Sequence, residues 1–194
     1  MSVKRNNKSI ILEGLPGTGK STLGGLFREE GVFIIPEIIL KKSNTKEEGE
    51  FFYFRNDLEK IKKSKELGEI SIIERSHVST LAHNYARLII EGNKEYFNIL
   101  KMYAENKISN NINPDLYIYI DIDTETSLIR KNRPVRDDDI WTQKKYLEII
   151  SDYYKMHFKF IEPDIPHIAI DGNRGLNPIY NDIKKYVFDN PKHS

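Results

Sequence analysis

Gly14-Leu-Pro-Gly-Thr-Gly-Lys20-Ser21 constrains this chain more than any other segment. It follows the short apolar run Ser9-Ile-Ile-Leu-Glu13 and precedes Ser21 to Glu30, which reads as a helix closed by Gly31. An apolar run of that length ahead of a glycine turn suits a strand buried on both faces. Gly14, Gly17 and Gly19 let the backbone turn successive N–H groups inward toward an anion. Lys20 supplies a point charge for β- and γ-phosphates, and Ser21 a hydroxyl ligand for Mg²⁺. The following helix aims its positive end at the same place. The expected nucleotide contacts are Gly14, Pro16, Gly17, Thr18, Gly19, Lys20, Ser21 and Thr22.

The rest of the chain continues the alternation. Val32–Ile35 reads as a second buried strand stopped by Pro36. Glu47 to about Leu67 reads as a helix with Phe51, Phe54, Leu58 and Ile61 on one face, ended by Gly68. Ile70–Ile73 is a third strand, followed by helices from about Val78 to Glu91 and Lys94 to Lys107. In the first of these, Val78, Leu81, Tyr85 and Leu88 or Ile89 face inward. Ser109–Pro114 reads as a loop and Leu116–Ile122 as a fourth strand. Trp141 to Ile161 reads as one long helix with Leu147, Ile150, Tyr154, Phe158 and Ile161 on its stripe, widened by Tyr146, Ile149 and Tyr153. His167–Ile170 is a fifth strand, and Pro178 to about Val187 a closing helix. Strands alternating with helices imply right-handed crossovers and a parallel sheet covered on both faces. The expected architecture is a three-layer α/β/α domain with a five-stranded parallel sheet, occupying residues 1–194.

Composition removes other classes. The 194 residues carry 30 Lys plus Arg against 29 Asp plus Glu, a net charge of +1, which argues against a protein built to coat nucleic acid or anionic lipid. There is no cysteine, so disulfide scaffolds, Cys-ligated zinc and Cys nucleophiles are excluded. Hydrophobic residues make up 39% and aromatic residues 11%, enough for a chain of this length to bury a core without such staples. The apolar runs are too short to span a bilayer, and the polar Met1–Lys8 start does not read as a secretion signal. A cytoplasmic location is expected.

Two further features bear on chemistry. The third strand runs into Glu74-Arg75-Ser76, where a carboxylate at the strand's C-terminal edge is placed to hold Mg²⁺ or its waters, with Arg75 beside it to grip a phosphate or substrate hydroxyl. The D-x-x-G and N-K-x-D signatures of a GTPase are absent. Arg130, Arg133 and Arg136 recur every third residue but are interrupted by Pro134, so they do not form one regular helix. A cationic loop over residues 130–139 suits a lid that closes on transferring phosphates, although Asp137, Asp138 and Asp139 also fit a solvated charged loop. Glu37, just past the second strand, stands where such sheets place their ligand crevice, and reads either as the acceptor-hydroxyl residue or as an ordinary helix-start carboxylate. Phe52 and Tyr53 fall off the core stripe beside Arg55, and either stack on and grip a planar acceptor or pack conventionally. His77 and His83 lack metal-ligand spacing to each other and read as satisfied or exposed histidines rather than ligands.

Glu13–Thr22, Glu74-Arg-Ser76, Pro114-Asp-Leu-Tyr-Ile-Tyr-Ile-Asp121 and the arginines at 130, 133 and 136 together resemble the thymidylate kinase and deoxynucleoside kinase superfamily, from about residue 9 to 173. The resemblance implies that the lid arginines embrace phosphates, that the Glu74-Arg75-Ser76 motif serves metal and substrate, and that Asp171-Gly172-Asn173 borders the adenine. Pro16 stands where thymidylate kinases usually carry Asp, and Ile35-Pro36-Glu37-Ile38 lacks their preceding Arg. That segment is more similar to deoxynucleoside kinases, in which the Glu takes the acceptor proton. It also resembles small kinases of the nicotinamide riboside kinase type. The implied activity is transfer of the γ-phosphoryl of ATP, with Mg²⁺, to a nucleoside or nucleoside monophosphate. The alternatives are a regulatory nucleotide-binding ATPase and a kinase for another metabolite. Dimers are common in the resembled families, so a homodimer is among the expectations.

Overall fold

A computed structural model describes residues 8–41, 48–110 and 113–188, with the side chains of 48–51 and 107–110 left out. The Met1–Lys8 start, apart from Lys8, and the side chain of Phe51 therefore lie outside the described residues. Five strands, β1 (Lys8–Glu13), β2 (Phe33–Ile35), β3 (Ile70–Glu74), β4 (Leu116–Asp121) and β5 (His167–Asp171), form one parallel sheet in the order β2-β3-β1-β4-β5. Ile11 of β1 registers with Ile73 of β3 and with Tyr117 of β4. β1 is thus central, and its end at Glu13 delivers the glycine turn into the middle of the sheet's C-terminal edge. The order reverses direction on either side of β1, which opens a crevice at that edge.

Seven α-helices cover the sheet among the described residues: α1 (Lys20–Glu29), α2 (Glu48–Leu67), α3 (His77–Glu91), α4 (Lys94–Asn110), α5 (Thr124–Lys131), α6 (Lys144–Met156) and α7 (Leu176–Phe188). Alternate residues of the central strands face opposite layers. Ile11, Ile73 and Tyr117 pack under α3 and α6 with Leu147, Ile150 and Tyr154, whereas Ile10, Leu12, Ile72 and Ile118 pack under α1 and α7 with Leu23, Phe27, Ile179 and Ile183. No helix among the described residues is long and apolar enough to cross a membrane.

Several expected boundaries shift. β2 is an edge strand, and Phe33 is 44% exposed rather than buried. α4 runs to Asn110, so Ser109 is helical and not in a loop. α5 was not expected. Asp123 starts it by accepting a hydrogen bond from the Thr126 N–H at 2.7 Å. The long helix expected over Trp141–Ile161 is three pieces: a 3₁₀ turn (Ile140–Thr142), α6, and a π turn (His157–Ile161). The wider π turn shifts the helical phase, so Phe158 stays buried while Ile161 is 49% exposed. Ile89 likewise faces solvent.

Candidate active site

At Gly14 and Gly17 the glycine turn is shaped by contacts that leave no room for a side chain. Gly14, Gly17 and Gly19 all have positive φ, of 140°, 79° and 85°. A Cβ on Gly14 would lie 2.5 Å from the Ile120 carbonyl oxygen, and one on Gly17 would lie 2.9 Å from that of Ser127. The turn is clamped from β4's side, where the Ser127 hydroxyl donates to the Pro16 carbonyl at 2.6 Å. The Lys20 ammonium reaches back across the turn to the carbonyls of Gly14 and Leu15, both at 2.9 Å, and to the Thr18 hydroxyl at 2.7 Å. Burial, and then the nearby Arg75 guanidinium, push Lys20 well below the usual lysine range, against the opposing pull of Glu13, Glu37 and Glu74.

The turn forms one wall of a cavity of about 530 Å³, lined by residues 16–22 together with Glu37, Glu74, Arg75, Arg130, Lys131 and Arg133. On its floor the Ser21 hydroxyl donates to the Glu74 carboxylate at 3.1 Å. A hydroxyl and a carboxylate at this spacing are oxygen donors that fit a Mg²⁺ ion retaining several waters. The positive-φ glycine turn at the start of α1, and the lysine within it, fit a nucleotide's phosphates.

Of the expected lid arginines, Arg130 and Arg133 line this cavity, whereas Arg136 does not; it forms an exposed ion pair with Asp138 at 2.7 Å. Arg130 is the penultimate residue of α5, and its guanidinium donates to the carbonyls of Gly172 (2.6 Å), Asn173 (3.0 Å) and Arg174 (3.0 Å). It therefore fixes the Asp171-Gly172-Asn173 turn to the phosphate side of the sheet. Gly172 is packed so closely that an added Cβ would lie 2.4 Å from Ile122. Lys131, absent from the sequence expectations, lines the cavity beside Arg130, and burial lowers its pKa.

A second cavity of about 270 Å³ adjoins the first, and Glu37 and Arg75 line both. Arg75 Nε lies 3.4 Å from the Glu37 carboxylate, its guanidinium donates to the Ser79 hydroxyl at 3.0 Å, and the same group sits 5.0 Å above the Trp141 ring. Arg75 has φ 60°, a left-handed conformation in which the Cβ of an L-residue crowds the carbonyl oxygen at a cost of roughly 1–2 kcal/mol. The surroundings hold it there. Its N–H donates to the Leu12 carbonyl at 3.0 Å, and the buried Lys60 ammonium donates to its carbonyl at 2.9 Å. Beneath it, fully buried Glu13 accepts from the Ser76 and Ser79 hydroxyls, both at 2.6 Å, and from Tyr154 at 3.2 Å.

Glu37 is positioned by Asn56 of α2. The Asn56 amide donates to the Glu37 carbonyl at 2.8 Å and accepts from the N–H groups of Ile39 (2.9 Å) and Leu40 (3.2 Å). Tyr53 lines the second cavity. Phe52 does not; it is buried, with its ring 5.3 Å edge-on to that of Tyr53, and Arg55 also lies outside the lining. The remaining wall comes from α3 and α4, through Thr80, His83, Asn84, Arg87 and Tyr96. Among the described residues, each cation lining this cavity has a carboxylate partner: Arg75 with Glu37, Lys60 with Asp57 at 2.8 Å, and Arg87 with Glu91 at 2.9 Å. Burial pushes Asp57 up to about 6 and His83 down to about 4, so the imidazole is neutral at pH 7.

Sequence reasoning missed Glu13, Asn56, Asp57, Lys60 and Lys131. A readable signal was present for Glu13, a carboxylate ending an otherwise apolar central strand. Asn56 and Asp57 lay just past the Phe52, Tyr53 and Arg55 that were weighed in the same helix, and their polar side chains carried no spacing signal.

No protein-family model matches the chain. Two curated relatives are thymidylate kinases of Legionella pneumophila, strains Paris and Corby. They are 25% and 27% identical over 217 and 218 aligned positions, with 96% of this chain and 97% of each relative covered. Among solved structures, deoxyadenosine kinase from M. mycoides with bound dATP superposes with a TM-score of 0.74 at 18% identity, covering 92% of this chain and 98% of that one. The same enzyme with bound dCTP gives 0.64 at 18% identity. The fold is that of the P-loop nucleoside and nucleotide kinases, which the chain also resembles in sequence. The sequence relatives and the fold neighbours alike are kinases of nucleosides or nucleotides, which supports an enzyme, a kinase.

Proposed function

We propose that the protein transfers the γ-phosphoryl group of Mg·ATP to a nucleoside, with Glu37 meeting the acceptor hydroxyl. The observation that carries this reading is that Glu37 and Arg75 line both cavities, one of phosphate-binding chemistry and one with aromatic and amide walls. The pairing of every cation on the second cavity with a carboxylate supports an acceptor without a phosphate of its own. A dianionic monophosphate would need unpaired positive charge there. The relatives' thymidylate kinase activity supports the second reading, a nucleoside monophosphate acceptor.

In this account the loop N–H groups and Lys20 hold the β- and γ-phosphates, with Arg133 and Lys131 on the open side. Mg²⁺, held through Ser21 and Glu74, would neutralise charge between the phosphates. Glu37 accepts the proton of the acceptor hydroxyl as its oxygen bonds to phosphorus and the bond to the ADP oxygen breaks. Arg75 holds the Glu37 carboxylate and faces the transferred group. Asp171, Gly172 and Asn173, held by Arg130, border the adenine. Phe52, Arg55 and Arg136 are structural or solvated in this account. We place the enzyme in the cytoplasm.

Lys20→Ala is expected to lower kcat by about 100-fold or more while the circular dichroism spectrum is retained. Glu37→Gln is expected to lower kcat by about 100-fold or more with a deoxynucleoside acceptor and to leave the Kd for ATP unchanged. Full turnover in Lys20→Ala would reject phosphoryl transfer at this loop. Full turnover in Glu37→Gln would reject only the role of the carboxylate.

A further inference from the structure

We propose that His77, His157 and Glu162 form a binding site for one zinc-class divalent ion, separate from the Mg²⁺ position at Ser21 and Glu74. His77 opens α3, His157 opens the π turn, and Glu162 follows that turn directly. One ligand atom from each lies within 4.8 Å of the others. Nε2 of His77 is 3.5 Å from one Glu162 oxygen, and Nε2 of His157 is 3.2 Å from the other. A tetrahedral zinc with bonds of about 2.0–2.1 Å separates its donor atoms by about 3.3 Å, so each imidazole already stands near that separation from one oxygen of the shared carboxylate.

The π turn produces this convergence. The Glu162 N–H donates to the His157 carbonyl at 2.9 Å, closing a five-residue turn that returns the carboxylate to the imidazole. A regular α-helix would place residue 161, an isoleucine, over that turn instead. The surroundings are dry. The two imidazoles are 1% and 0% exposed, and the rings of Tyr117, Tyr153 and Phe158 pack against them with centroids 5.4–6.4 Å apart. Two imidazoles and one carboxylate are donors that favour zinc and its neighbours over Mg²⁺, which prefers oxygen. The sequence showed only that His77 lacks ligand spacing to His83; its partners lie about eighty residues away in sequence, at 157 and 162. An ion here ties the start of α3, two residues after Arg75, to the end of α6.

The test is titration of untagged, chelator-treated full-length protein with ZnCl₂ in excess Mg²⁺, followed by calorimetry and thermal unfolding, with CoCl₂ as a spectroscopic probe. The expected result is one ion per chain, a raised unfolding temperature, and the intense visible absorption of four-coordinate cobalt. His157→Gln and the more peripheral Glu162→Gln are each expected to weaken zinc binding more than about 100-fold, with His83→Gln as a neutral control. Zinc binding that is absent, unchanged in both variants, or accompanied by the pale spectrum of six-coordinate cobalt overturns the proposal. In that case the cluster is a structural contact of the carboxylate with the two imidazoles. If His157→Gln does not fold, Glu162→Gln and the wild-type cobalt spectrum still decide.

Discussion

Asp57 and His83 face the same cavity with opposite responses to pH. Burial raises the Asp57 carboxyl from 3.8 to about 6. Between those values the folded chain keeps a proton the unfolded chain has released, so this contribution to stability falls as pH rises from 4 to 6. Burial lowers His83 from 6.5 to about 4, and there the unfolded chain holds the extra proton, so stability rises over nearly the same range. Each amounts to about 3 kcal/mol at full extent, and the two largely cancel in the wild type. Asp57→Asn should therefore unmask a urea midpoint that rises between pH 4 and 6.5, and His83→Gln one that falls between pH 4 and 6. A wild-type pH profile in Asp57→Asn would show that the carboxyl is not perturbed by burial. Neither residue was legible in the sequence as a titrating group, because the shift comes from walls supplied by other elements. Lys20 and Ser21 were legible because their chemistry is set by spacing within one turn.

At the scale of elements, local pattern carried the strands and most helices. It failed where neighbours override it. β2 was read as buried from its apolar composition, yet an edge position exposes Phe33. The break after α6 is invisible in an apolar stripe that continues through Phe158, and α5 begins on an Asp123 cap that the arginine spacing overshadowed. That helix makes Arg130 a strut rather than a mobile lid residue. Arg130→Ala should loosen the 171–174 turn and raise the KM for ATP several-fold, with a smaller effect on the acceptor; an unchanged KM for ATP would remove the turn from the nucleotide site. Asn56→Ala leaves three backbone groups of the 37–40 segment without their partner, an expected loss of about 1–3 kcal/mol in stability. The same change should raise the acceptor KM without altering the Kd for ATP. Equal effects on both ligands would mean that α2 does not act through Glu37.

At the scale of the whole molecule, the reversal of strand order beside β1 sets the cavity at the glycine turn and the second cavity edge to edge, with Glu37 and Arg75 lining both. The strand, glycine turn and helix start were readable from residues 9–21 alone. The second cavity was not, since its walls come from α2, α3, α4 and Trp141, which only the fold brings together. The central claim is that these cavities hold the two substrates of one phosphoryl transfer. It is tested most directly by ADP release from Mg·ATP across deoxynucleosides, their monophosphates and an unrelated hydroxyl acceptor such as nicotinamide riboside. The account predicts strong stimulation by an unphosphorylated deoxynucleoside. Stimulation by monophosphates alone would contradict the charge argument at the second cavity, and no stimulation by any of these acceptors would contradict the nucleoside kinase reading itself.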